Sequence, residues 1–137
     1  MGITALHVVV CEALALHHLS GPMIEVVAQG LATVDRTDER FLQAELYRLK
    51  ALALLARGTA EADTEAQYLL GEALSTARQQ GARALELRAA GSLARLRRDQ
   101  GRRAEARDLL APVYGWFTEG FNTPDLKDAK ALLDELR

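Results

Sequence analysis

Cysteine is almost missing from this chain: Cys11 stands alone among 137 residues. No internal disulfide can form, which suits a reducing cytoplasm. Proline is scarce as well, limited to Pro22, Pro112 and Pro124, so little interrupts a helix. Aromatic residues make up only 5% of the chain, too few to stack a run of bases. β-Branched residues are few outside Val8-Val9-Val10, which removes the usual material of a sheet. No apolar run is long enough to span a membrane. Residues 3–19 are apolar enough to resemble a signal sequence. They lack a basic start and contain His7, Glu12, His17 and His18, so they read as a buried helix. Neither phosphate-cradling pattern, G-x-x-x-x-G-K-[ST] or G-x-G-x-x-G, occurs. All three histidines lie within the first 18 residues, and no acid has a spacing that completes a Ser-His-Asp set. No catalytic constellation or cofactor cradle is therefore expected.

What the chain does hold is alanine, leucine, glutamate and arginine, the strongest helix formers. With 49% hydrophobic and 26% charged residues it reads as globular and all-α. It also repeats itself. The stretch Gly101-Arg102-Arg103-Ala104-Glu105-Ala106-Arg107-Asp108-Leu109-Leu110 echoes Glu65-Ala66-Gln67-Tyr68-Leu69-Leu70. Ala66 and Ala106 are 40 residues apart, and so are Leu70 and Leu110. A weaker third copy is Gly21 with Glu25-Val26. Periods of this length point to a stacked helical array, whose role is to hold partners.

Seven helices follow from period and punctuation, over about residues 4–18, 22–34, 39–57, 64–80, 82–100, 103–117 and 124–136. Gly58, Gly81 and Gly101 close three of them, and Thr64 is the expected N-cap of the fourth. Pro112 predicts a kink or break in the sixth, and Thr123-Pro124-Asp125 opens the seventh. Ala66, Leu70, Ala73 and Ala77 form one apolar stripe, and Ala106, Leu110, Val113 and Phe117 form another. Ala129, Leu132, Leu133 and Leu136 give the last helix one apolar side, as a terminal cap requires. One domain over 1–137 is expected, with repeats at 3–34, 39–80 and 82–117 and a capping helix at 124–136.

The unit of helix, Gly, three residues, Glu-Ala, three residues and Leu resembles a tetratricopeptide repeat (TPR), with Leu93-Ala94 as the residue pair of a first helix. Residues about 38–137 further resemble the C-terminal region of large bacterial regulators. Those regulators join a class III adenylate/guanylate cyclase domain or a DNA-binding domain to an AAA-type ATPase and a TPR array. Glu39-Arg40-Phe41, Ala44-Glu45-Leu46-Tyr47-Arg48-Leu49-Lys50, Leu85-Glu86-Leu87-Arg88-Ala89-Ala90 and Arg98-Asp99-Gln100-Gly101-Arg102 carry this resemblance. So do Tyr114-Gly115-Trp116-Phe117-Thr118-Glu119-Gly120-Phe121 and Thr123-Pro124-Asp125-Leu126-Lys127 with Ala129-Lys130-Ala131-Leu132-Leu133. The chain departs from the family at Ala51, where Gly is usual, at Arg97, where an aromatic is usual, and at Gly30, where a larger apolar residue is usual. The resemblance implies a right-handed α-α superhelix and a regulatory tail without a cyclase or ATPase domain.

Three constellations remain. His7, Cys11 and His18 share one helix face, at about 0°, 40° and 20°. His7 and Cys11 could chelate a metal, but His18 lies 11 residues and about 16 Å from His7, too far for one ion to reach all three, so ordinary packing is the better reading and no metal is expected. Residues 82–107 carry eight arginines against three acids within a chain of net charge −2. Arg88 and Arg95 share a stripe, Arg98 lies about 80° round, and Arg48 occupies the corresponding stripe of the third helix. By resemblance to TPRs this stripe lines a concave surface, where forked guanidinium groups suit carboxylates or phosphates. The alternatives are a solvated, partly neutralised face, or a nucleic-acid site, which the few aromatics and the single basic region disfavour. Trp116, Phe117 and Phe121 are expected to hold the last repeat against the capping helix, or, if exposed, to anchor a partner.

The function expected is thus a non-catalytic protein-interaction module whose groove takes a peptide or a neighbouring domain, an acidic one by the arginines. A regulatory fragment of a cyclase- or ATPase-type regulator and a small-ligand sensor stand as alternatives. Leu6, Val9, Val10 and Ala13 predict homodimerisation or stickiness through the first helix.

Overall fold

The computed structural model describes residues 20–37 and 42–137. The first expected helix lies outside them, as do His7, Cys11, His18 and the residues expected to support dimerisation, Leu6, Val9, Val10 and Ala13. Among the described residues all regular structure is helical and no strand occurs. Six helices follow one another: α1 (Ser20–Thr37), α2 (Gln43–Leu55), α3 (Ala60–Gln80), α4 (Arg83–Asp99), α5 (Arg103–Gly115) and α6 (Pro124–Glu135).

Local chemistry sets most of the boundaries. Gly81 and Gly101 adopt φ of +65° and +78°, a region where a Cβ would be strained. In each case the next residue reaches back: Ala82 N–H donates to the Ala77 carbonyl at 2.9 Å, and Arg102 N–H to that of Arg97 at 2.8 Å. Both turns satisfy carbonyls the helix would otherwise leave open. The start of α3 differs from the expectation. Thr59, not Thr64, is its N-cap, and the Thr59 hydroxyl accepts from the Ala62 N–H at 3.2 Å. The polar run Glu61, Ala62, Asp63 looks like a loop, but acids in a first turn favour the helix dipole. The Thr64 hydroxyl instead donates to the Ala60 carbonyl one turn back.

Pro112 does not break α5, which continues to Gly115 and stops two residues short of the expected end. Pro112 and Asp108, whose carbonyl loses its partner, both face solvent, where water can substitute. Thr123 occupies the N-cap position of α6, with Pro124 following, yet its hydroxyl donates to the Gly120 carbonyl at 2.7 Å rather than capping the helix.

The predicted stripes are buried. Ala66, Leu70, Ala73 and Ala77 of α3 are enclosed, as are Ala106, Leu110 and Val113 of α5. Phe117 lies just beyond α5 and is partly buried against the same core. The fully buried Ala66, Ala94 and Ala106 let helices approach closely. Leu126, Ala129, Leu132 and Leu136 attach α6 to this core, and Val27 of α1 packs on Leu46, Leu49 and Ala53 of α2. Gly30 and Ala51, two of the departures, are both buried.

Consecutive helices pack on each other, and α2 also packs on α4, and α4 on α6. No two of α1, α3 and α5 approach within 8 Å at Cα. The even-numbered helices therefore form one continuous row. Side-chain pairs give its direction. Arg88 meets Asp125 and Arg98 meets Glu135, both 37 residues apart, so α4 and α6 run the same way. Glu45 meets Arg88 and Arg48 meets Ser92, so α2 runs with them.

Leu110 is wholly buried, so Leu110→Ala is expected to cost about 2–5 kcal/mol. A Cβ at exposed Gly71 meets nothing within 4 Å, so Gly71→Ala is expected to gain about 0.5–1 kcal/mol. Urea unfolding followed by circular dichroism measures both; a Leu110→Ala midpoint equal to that of the parent chain would contradict the enclosed stripe.

Candidate functional site: a groove along the even helices

A cavity of about 490 Å³ opens on the row formed by α2, α4 and α6. Arg48, Leu49 and Leu52 come from α2, Leu87, Arg88, Gly91 and Arg95 from α4, and Asp125, Asp128 and Ala129 from α6. Three of the four arginines singled out in the sequence, Arg48, Arg88 and Arg95, thus face one groove. Arg98 does not line it. It pairs with Asp99 at 3.1 Å and with Glu135 at the far end of α6. Glu135 first, then Asp99, holds the Arg98 guanidinium above its ordinary value, with burial acting the other way. Arg103 donates to the Glu135 carbonyl, so two arginines grip the end of α6.

The groove arginines are not free charges. Glu45 is a carboxylate with 0% side-chain exposure. Arg48, one turn on, donates through Nε to Glu45 Oε1 and Oε2 at 3.1 and 3.2 Å, and its Nη2 donates to Oε1 as well. Arg88 Nη1 reaches the same Oε1 at 3.4 Å from α4. Arg88 Nε donates to Asp125 Oδ2 of α6 at 2.9 Å. Arg48 Nη1 also donates to Oγ of buried Ser92 at 3.4 Å. One buried acid and one half-buried acid therefore neutralise two arginines across three helices.

Arg95 and Asp128 stand apart from this set. Both are exposed, both line the groove, and neither forms an ion pair with a described residue. Arg95 lies back along its helix, its Nη1 3.8 Å from the place a Cβ on Gly91 would take.

Glu45, Ser92 and Asp125 do not stand out in the sequence as site residues. One signal exists for the first. Glu45 lies within about 40° of Leu49 and 20° of Leu52 on a helical projection, an acid on an apolar face. Such an acid needs a buried cation, and Arg48 three residues on supplies it.

The second buried acid, Glu86, lies away from the groove. It accepts from Arg78 Nε and Arg83 Nη1, both at 3.1 Å. Arg83 also sits 4.7 Å over the Trp116 ring. Trp116 packs edge-on to Phe117 at 5.2 Å, and Phe121 meets Tyr114 at 5.8 Å. Trp116 and Phe121 remain 54% and 46% exposed, so only Phe117 of the three takes part in the core as expected.

Among the described residues no group of three or more His, Cys, Asp or Glu is placed to hold a metal ion, and no helix is long and apolar enough to cross a membrane. No protein-family model matches the chain, and no curated protein or solved structure matches it either.

Arg48→Met leaves Glu45 buried with only the long contact from Arg88, so a loss on the order of 3 kcal/mol is expected. The double change Glu45→Leu with Arg48→Met removes the charge and its partner together and should recover most of that loss, because Arg88 keeps Asp125. Chemical denaturation of both variants measures this; equal losses would show that Glu45 does not depend on Arg48. The Arg98–Glu135 pair is solvent-facing, so a double-mutant cycle to Ala should give about 0.2–1 kcal/mol, falling with added salt.

Proposed function

We propose that this chain is a non-catalytic protein-interaction module, a TPR-like α-α superhelix whose groove takes a peptide or a neighbouring domain. The observation that carries this reading is the groove itself. It is formed by the continuous row of α2, α4 and α6, floored by Leu49, Leu52, Leu87 and Ala129, and edged by charged side chains. Alternate helices running in one direction, with α1, α3 and α5 outside, are what stacked helical hairpins produce. An apolar floor with a few directed polar groups favours an occupant that buries side chains between fixed donors and acceptors.

The resemblance to the tails of cyclase- and ATPase-linked regulators adds one refinement to the proposal. In such a protein the occupant would be a neighbouring domain of the same regulator. A free-standing adaptor would take a separate protein. The groove chemistry is common to both.

Gly91 offers a clean way to close the groove. A Cβ at this position would meet only the flexible Arg95 Nη1, at 3.8 Å, so a large residue there projects into the groove rather than into the core. Peptides selected on the parent chain from a displayed random library are expected to lose at least tenfold in affinity for Gly91→Phe. The melting temperature should not fall, because Gly is the poorer helix former. Peptides that bind Gly91→Phe as well as the parent would place docking elsewhere.

A further inference from the structure

We infer that the occupant of this groove carries charges of both signs, a carboxylate for Arg95 and a cation for Asp128, on either side of apolar residues. The inference rests on the docking reading and names its ligand class. Arg48 and Arg88 are already committed to Glu45 and Asp125, so they draw little on an added anion. What remains in the groove is one exposed cation on α4 and one exposed anion on α6, neither paired with a described residue.

Their placement follows from the helix register. Arg88 with Asp125 and Arg98 with Glu135 fix the offset between α4 and α6 at 37 residues. That offset sets Asp128 level with Gly91, and Arg95 folds back toward Gly91. The two charges therefore flank one level of the groove, on neighbouring helices whose axes lie about 8–10 Å apart. An extended chain crossing from α4 to α6 advances about 3.3 Å per residue. Its acid and base are then two or three residues apart, with apolar side chains between them over Leu87 and Ala129. A uniformly acidic segment would satisfy Arg95 and be repelled by Asp128.

The test uses four blocked hexapeptides with the central patterns Glu-Leu-Leu-Lys, Lys-Leu-Leu-Glu, Glu-Leu-Leu-Glu and Lys-Leu-Leu-Lys. Binding is read from amide shifts of Gly91, Arg95 and Ala129 in nitrogen–proton spectra, which resolve weak affinities. One of the two mixed peptides is expected to bind about two- to fivefold more tightly than either single-sign peptide. Arg95→Ala should erase its advantage over the lysine peptide, and Asp128→Ala its advantage over the glutamate peptide. Exchanging the charges, Arg95→Glu with Asp128→Arg, should move the preference to the mixed peptide of opposite order. Both side chains are exposed, and the melting temperature of each variant checks that folding is unaffected. A glutamate peptide that binds as tightly as both mixed ones, or a ranking unchanged by the substitutions, overturns the inference while leaving docking intact. Failure of all four to shift these amides, together with loss of the library binders' dependence on Gly91, removes the docking reading and the inference with it.

Discussion

A carboxylate closed off from solvent has to be met by cations, and Glu45 is met from two helices at once. Its own helix supplies Arg48, and α4 supplies Arg88, which continues to Asp125 of α6. The apolar contacts between these helices are made largely by alanine and leucine, whose ridges can slide by a turn at modest cost. The charges cannot slide. A shift of α4 by one turn would carry Arg88 about 5 Å from Glu45 and leave the carboxylate underpaired in a buried site, a penalty of several kcal/mol. The network need not add net stability over an apolar replacement. What it does is make one level of the three helices better than the next, and at that level Arg48, Arg88 and Asp125 together line the groove.

The same three helices are parallel for a simpler reason. The connections between α2 and α3, α3 and α4, and α4 and α5 are short, so each helix returns antiparallel to the last. Every second helix then points the same way. Buried alanines at Ala66 and Ala106 let α3 and α5 sit close against their neighbours. The even helices touch one another in turn, whereas no two of α1, α3 and α5 approach within 8 Å at Cα, so the even side is the more closely packed of the two. The groove lies along this closely packed row, over Leu49, Leu52, Leu87 and Ala129.

Much of this is legible along the chain, and the part that is not has a common cause. The stripes of α3 and α5 are readable because helical period is a local property, and Gly81 and Gly101 because a left-handed residue announces a helix end. The arginine stripe is readable for the same reason: Arg88 and Arg95 share a face by spacing alone. Their partners are not. Whether Arg88 is free or neutralised depends on Glu45 and Asp125, some 40 residues away in each direction, and on a register fixed only when the helices pack. The misplaced start of α3 has a local cause. Glu61 and Asp63 are polar enough to resemble a loop, while Thr59 two residues earlier is the cap. The exposure of Trp116 is again a packing outcome: Arg83 covers one face of the ring, held there by its bond to Glu86, and the core takes Phe117 instead.

Internal neutralisation also changes how the groove would select an occupant. Three unpaired arginines in a trough would project a positive field over a Debye length, about 8–10 Å, and would attract carboxylates, phosphates and nucleic acid alike. Paired with Glu45 and Asp125, two of those arginines present close dipoles, whose field fades within a few ångströms. The whole chain, at net charge −2, adds no long-range attraction for anions. Association with such a trough is therefore expected to be slow and weakly salt-dependent compared with a basic cleft, and discrimination has to occur at contact. At contact, the fixed Arg48 and Arg88 guanidinium groups act less as charges than as rigid walls, each held by a carboxylate behind it. Rigidity of that kind lowers the ordering cost of binding, so under the proposed docking role a few apolar side chains over Leu52, Leu87 and Ala129 would suffice to hold a segment whose charges set its position and direction.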